Sequence, residues 1–124
     1  MKPKRPVNLD IGTIHLPLAA LTSITHRLTG VGVFAGLSVL LYLFNLSLAS
    51  DEGFAQVQTL LASTAFKLLL WLILSALAYH LVAGCKHLLM DAGIGETREA
   101  GPIGAGITVV LSVVLSLLVG VWLW

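Results

Sequence analysis

Three stretches of this chain are almost purely apolar, and polar residues mark their edges. Residues 28–50, 68–85 and 101–124 contain no Asp, Glu, Lys or Arg. Each is as long as the roughly 17–25 residues a helix needs to cross a hydrocarbon core. The pattern predicts an all-α membrane protein with three transmembrane helices over about 18–48, 64–90 and 102–124. Pro17 and Pro102 suit first turns, where a missing N–H leaves no bond unmade. Between the first two spans, Ala49-Ser50-Asp51-Glu52-Gly53 interrupts the apolar run. Phe54, Val57, Leu60 and Leu61 then recur at helical spacing, which predicts a short amphipathic helix over 53–62 lying on the membrane surface. Asp91-Ala92-Gly93 reads as a helix end, with Gly93 as a left-handed cap. Residues 1–16 are polar and basic; Pro3 and Pro6 oppose a helix there, and Asn8, Asp10 and Gly12 favour turns. The whole chain, 1–124, reads as one domain.

Composition strengthens this picture. The chain is 57% hydrophobic and 10% charged, against about 25% charged in soluble domains. A net charge of +1 gives no electrostatic footprint for nucleic acid. The single cysteine, Cys85, cannot form an internal disulfide and reads as a small packing residue. The first apolar run is too long for a secretory signal, and no Arg/Ser-rich transit peptide is visible, so a bacterial protein is expected. Charge then orients the spans. Lys2, Lys4, Arg5, Lys86 and Arg98 flank one side, and Lys67 alone flanks the other, beside Asp51 and Glu52. The positive-inside rule therefore predicts a cytoplasmic N-terminus and a periplasmic C-terminus in the bacterial inner membrane. Tyr42, Trp71, Trp122 and Trp124 fall near the outer ends of their helices, as interfacial anchors should.

Two polar patches need a reason to exist inside such a chain. On the first helix, Ser23, His26, Arg27 and Gly30 fall at i, i+3, i+4 and i+7 and share one stripe. On the second, His80, Gly84, His87 and Asp91 share another. A charge inside the bilayer costs roughly 2.5–3.5 kcal/mol on insertion scales, so such residues face protein, a cofactor or water. The helices are antiparallel, which brings His80 to the depth of His26 and Arg27. A neutral imidazole there can ligate a haem iron, with Gly84 leaving room for a flat ring. Arg27, His26 and His87 can match anionic propionates, and Ser23 and Arg27 can donate to quinone carbonyls. The other reading is that these histidines are helix-packing or interhelical hydrogen-bond residues. His15 reads as a surface residue, Asp91 as a helix end and Lys67 as a snorkelling anchor. Gly30, Gly32, Ala35 and Gly36 read as packing positions, and Thr108, Ser112 and Ser116 as a weakly polar interhelical stripe.

The sequence Arg5-Pro6-Val7-Asn8-Leu9-Asp10, then Ser23-x-x-His26-Arg27-x-Thr29-Gly30, then His80-x-x-x-Gly84 with His87 and Met90-Asp91, resembles the cytochrome b anchors of succinate dehydrogenase. These are the larger of the two membrane anchors of bacterial complex II. The likeness extends over the whole chain. It departs at Cys85-Lys86, where the family commonly has an aliphatic residue and arginine; lysine keeps the charge but loses the bidentate fork. The resemblance implies a non-catalytic anchor that docks the flavoprotein and iron–sulfur subunits and helps pass electrons from succinate to ubiquinone. It implies His80 as axial ligand of haem b and His26 near a propionate. Ser23 and Arg27 would be quinone-site residues, and a second anchor subunit would supply the other axial histidine. Consistent with that, only one histidine lies deep in a span. Membrane lipid is a further expected partner. Two rivals stand: a fumarate-reductase anchor, and a structural or transport subunit with no redox centre.

Overall fold

The computed structural model describes residues 7–10 and 12–124. Lys2, Lys4 and Arg5, which carry much of the orientation expectation, lie outside the described residues, as do Pro3 and Pro6. Among the described residues there are four α-helices and no strand: α1 Leu18–Ala49, α2 Asp51–Ala62, α3 Thr64–Asp91 and α4 Ala100–Leu123. By length and composition α1, α3 and α4 can each cross a membrane.

The lead-in is a tied loop. The Asp10 N–H donates to Asn8 Oδ1 at 3.0 Å, and the Gly12 N–H donates to Asp10 Oδ1 at 2.9 Å. Pro17 is the residue before α1 rather than part of its first turn, with φ −66° and ψ 156°. At the other end, the polar run 49–53 is a much tighter link than a break in the pattern suggests. Ser50 alone is extended, and it is both the last cap of α1 and the first of α2. Its hydroxyl accepts the Gly53 N–H at 3.0 Å. Asp51 and Glu52 occupy the first turn of α2, where carboxylates complement the helix dipole. The Glu52 backbone N–H, and after it the Ser50 hydroxyl, hold the Glu52 carboxyl below the usual range.

Gly53 is buried where α2 folds back over the end of α1. A Cβ there would collide with the Leu46 carbonyl oxygen. That neighbour is backbone and cannot move aside cheaply. Gly53→Ala is therefore expected to destabilise the α1–α2 corner by about 1–3 kcal/mol, the usual cost of overpacking. A lowered thermal midpoint of the detergent-solubilised protein checks this; an unchanged midpoint would show that α2 does not lean on α1. Val57 is buried, while Phe54 and Leu61 face outward.

Ser63 links α2 to α3, its hydroxyl accepting the Phe66 N–H at 3.3 Å. The end of α3 is a glycine cap of the expected kind. Gly93 has φ 82°; its N–H donates to the Met90 carbonyl and that of Ile94 to the Leu89 carbonyl, both at 2.9 Å. These two bonds are the Schellman pattern. The third long helix begins at Ala100, two residues before Pro102, because the Thr97 hydroxyl accepts the Ala100 N–H at 3.1 Å.

α3 packs against both α1 and α4, and α1 meets α4 less extensively. The packing is inverted relative to a soluble domain. The buried positions of the long helices include Thr22, Gly36, Ala83, Ala105, Thr108 and Ser112, which are small or weakly polar. Large apolar residues such as Leu28, Val31, Phe34, Val110 and Val121 are exposed. Helices in lipid gain nothing by hiding Leu from an equally apolar solvent, so small residues that allow close approach win the seams. At Gly36 a Cβ would come within 2.7 Å of the Ile73 side chain, which shows how closely α1 and α3 pass. The α3–α4 seam is bonded at Ser116. Its Oγ lies 2.7 Å from Ser75 Oγ, and its carbonyl accepts the Trp71 indole N–H at 2.9 Å. Thr108 instead donates back to its own helix, to the Gly104 carbonyl at 2.8 Å. Ser112 Oγ is buried with no partner among the described residues. Near the same end as Trp71, the Lys67 ammonium lies 5.9 Å from the Trp124 ring centroid, a cation–π contact in addition to any snorkelling.

Candidate functional site

The two polar patches meet. The antiparallel course of α1 and α3 stacks the His26 and His80 rings with centroids 4.2 Å apart and planes 13° from parallel. The His87 ring lies 5.1 Å from that of His26, tilted by 45°. His80 Nδ1 is 3.1 Å from the His26 carbonyl oxygen and 3.4 Å from Thr29 Oγ1. Thr29 Oγ1 is itself within hydrogen-bond distance of the Thr25 and His26 carbonyls, at 2.9 and 3.0 Å. One turn earlier, the Tyr79 hydroxyl donates to the Thr22 carbonyl at 2.9 Å. All three imidazoles are half-buried.

The glycines take unequal roles. A Cβ on Gly30 would lie 3.0 Å from His80 Cε1, so Gly30 is where the His80 ring nests against α1. Gly30 thus serves the histidine site as well as helix packing. Gly84, expected to leave space for a flat ring, lies beside His26, whose Nε2 would be 3.6 Å from a Cβ there. Nothing lies within 4 Å of a Cβ on Gly32. His26 Nε2 is buried and has no hydrogen-bond partner among the described residues. An unpaired buried nitrogen is costly and calls for a partner.

Beside these rings is an open cleft of about 410 Å³, lined by His26, His80, His87, Gly84, Leu81, Cys85 and Leu88. It combines imidazole nitrogens with apolar walls, which suits a flat hydrophobic group carrying a metal or anionic edge. A second cavity of about 420 Å³ lies between α3 and α4, with Val82, Lys86, Met90, Gly104, Ile107 and Leu111 among its walls. Lys86 belongs to that side. Its Cε would be 3.4 Å from a Cβ on Gly104, and it is absent from the histidine cleft. Cys85 lines both cavities and is exposed in this chain.

Ser23 and Arg27 sit at the margin of this arrangement. Ser23 is half-buried and Arg27 exposed, and neither lines the histidine cleft. Neither side chain bonds to another described residue. His15 is exposed, and Asp91 is the exposed last residue of α3. Sequence reasoning assigned no contact to Thr22, Thr29 or Tyr79. Thr22, Thr29 and Gly36 recur every seven residues, which marks the seam of two packed helices. A tyrosine in an uncharged span must also find an acceptor.

Residues 1–119 match the family model described as "Succinate dehydrogenase/Fumarate reductase transmembrane subunit". The chain is similar to the succinate dehydrogenase cytochrome b556 subunit of Coxiella burnetii, 41% identical over 125 residues and covering 100% of each chain. It is 34% identical over 114 residues to the protein of that name from Paracoccus denitrificans, covering 92% of this chain and 88% of the other. With that from Rickettsia felis the identity is 32% over 118 residues, covering 95% and 92%. With this family match and three membrane-length helices, the chain is a multi-pass membrane protein that belongs to the succinate dehydrogenase/fumarate reductase transmembrane subunit family.

Proposed function

We propose that this chain is the haem b anchor of a bacterial succinate:ubiquinone oxidoreductase. In this reading it is one membrane-anchor domain in the inner membrane. It packs against a second anchor subunit and docks an iron–sulfur subunit, and through it a flavoprotein. The family's description also covers fumarate reductase; the names of the relatives favour succinate oxidation. The observation that carries the haem reading is the run of neighbouring imidazoles His80, His26 and His87 beside an open cleft, with a buried His26 nitrogen lacking a partner among the described residues. The residues present fit the group. His80 can offer a neutral nitrogen to iron, while His26, His87 and Arg27 can meet propionate oxygens. A second histidine ligand would come from the partner anchor. When bound, haem b supplies a one-electron redox centre.

Ser23 and Arg27 are proposed to bind ubiquinone. Both are free of other described partners, one turn apart, at the rim of the histidine site. Arg27 places a fixed positive charge where reduction makes a quinone oxygen negative, and Ser23 supplies a neutral donor. Neither lines the histidine cleft, and the other wall of the quinone pocket would come from partner subunits. The lysine and arginine bias supports a cytoplasmic N-terminus, a periplasmic C-terminus and α2 along the outer interface. A reporter fused after Trp124 that works only in the cytoplasm would reverse this. The haem reading is tested by the visible spectrum of the purified complex, reduced minus oxidised. A b-type band is expected; a colourless intact complex would leave the histidines as helix-packing residues.

A further inference from the structure

Resting on the haem reading above, we propose that Thr29 is a positioning residue for His80. With the His26 carbonyl it holds the Nδ1–H tautomer and thereby presents Nε2 as the iron-facing nitrogen. A carbonyl oxygen can only accept, so the 3.1 Å contact from His80 Nδ1 to the His26 oxygen puts the proton on Nδ1. A neutral imidazole protonated at Nδ1 keeps its lone pair on Nε2.

Thr29 adds a second acceptor. Its hydroxyl hydrogen has two carbonyls within reach, Thr25 at 2.9 Å and His26 at 3.0 Å. Whichever it takes, the oxygen lone pairs remain for the His80 N–H, 3.4 Å away. One turn of α1 thus offers that N–H a near acceptor and a farther one. Two further contacts keep the ring in place. His26 covers one face of it at 13° from parallel, and the bare Cα of Gly30 lets Cε1 approach. Donation from Nδ1–H pushes electron density onto the ring and strengthens Nε2 as a donor, as second-sphere acceptors do for metal-bound histidine. A stronger donor favours ferric over ferrous iron and lowers the potential.

Removing the hydroxyl should therefore weaken the donor. In the complete, haem-loaded complex, Thr29→Val is expected to retain the b-type band and to raise the haem midpoint potential in a redox titration. Thr29→Ala, which cannot crowd the seam, is expected to move it in the same direction. Thr29→Ser, which keeps the hydroxyl, is expected to return it to the wild-type value. A merely structural threonine would be served as well by valine. Haem in place with an unmoved or lowered potential in Thr29→Val and Thr29→Ala overturns this inference alone. A colourless wild-type complex overturns the haem reading, and this inference with it.

Discussion

Replacing His80 by alanine is expected to abolish the b-type absorbance of the purified complex while leaving the subunits associated. His80 is the imidazole stacked on His26, which also meets His87. Its Nδ1 contacts α1, its ring stacks on His26 and its Cε1 nests against Gly30. Alanine removes the proposed ligand nitrogen without adding bulk. The helices should hold, because the α1–α3 seam is secured on both sides of the gap. Tyr79 bonds to the Thr22 carbonyl at one side, and Gly36 meets Ile73 at the other. Co-purification of the partner subunits together with a flat reduced-minus-oxidised spectrum is the expected pair of results. An undiminished band in His80→Ala would move the ligand elsewhere, with His26 and His87 the nearest imidazoles.

The second large effect is expected at Arg27. Arg27→Ala should assemble and keep its haem, yet reduce quinone about 100- to 1,000-fold more slowly. That is the range seen when one preorganised donor to a developing oxyanion is removed, roughly 2.7–4 kcal/mol. The side chain is exposed and bonds to no other described residue, so its loss leaves no buried partner stranded. Arg27→Lys keeps the charge but not the planar fork, and intermediate activity is expected. Succinate-dependent reduction of a ubiquinone analogue, compared with reduction of an artificial acceptor at the soluble subunits, separates the quinone step from assembly. Normal quinone turnover in Arg27→Ala would remove the quinone assignment and leave the haem assignment standing.

Much of the architecture is legible without coordinates. The uncharged runs identify α1, α3 and α4, since a span must be both long and apolar. The Gly93 cap is readable because a left-handed residue after a helix favours glycine so strongly. The 49–53 link is less legible. Polar and glycine residues suggest a loop, yet Ser50 caps α2 so efficiently that a single residue makes the turn. Gly53 is there for the Leu46 carbonyl, a neighbour that no local pattern reveals. The site divides in the same way. The stripe rule puts His26 and Gly30 on one face and His80, Gly84 and His87 on another. It does not say that Gly30 receives His80 while Gly84 faces His26, or that Lys86 turns to α4.

By itself the sequence determined which segments can live in a bilayer and which side chains are too polar to face lipid. Both follow from transfer free energy, a property of composition along the chain. Tertiary structure alone decided the partners: His26 on His80, Thr29 at Nδ1, Tyr79 on the Thr22 carbonyl, and Arg27 left outward at the rim. Those outcomes depend on the rotation and offset of one helix against another. Rotation and offset are set by where glycine, alanine and threonine let two backbones approach, through dispersion contacts distributed over the whole seam.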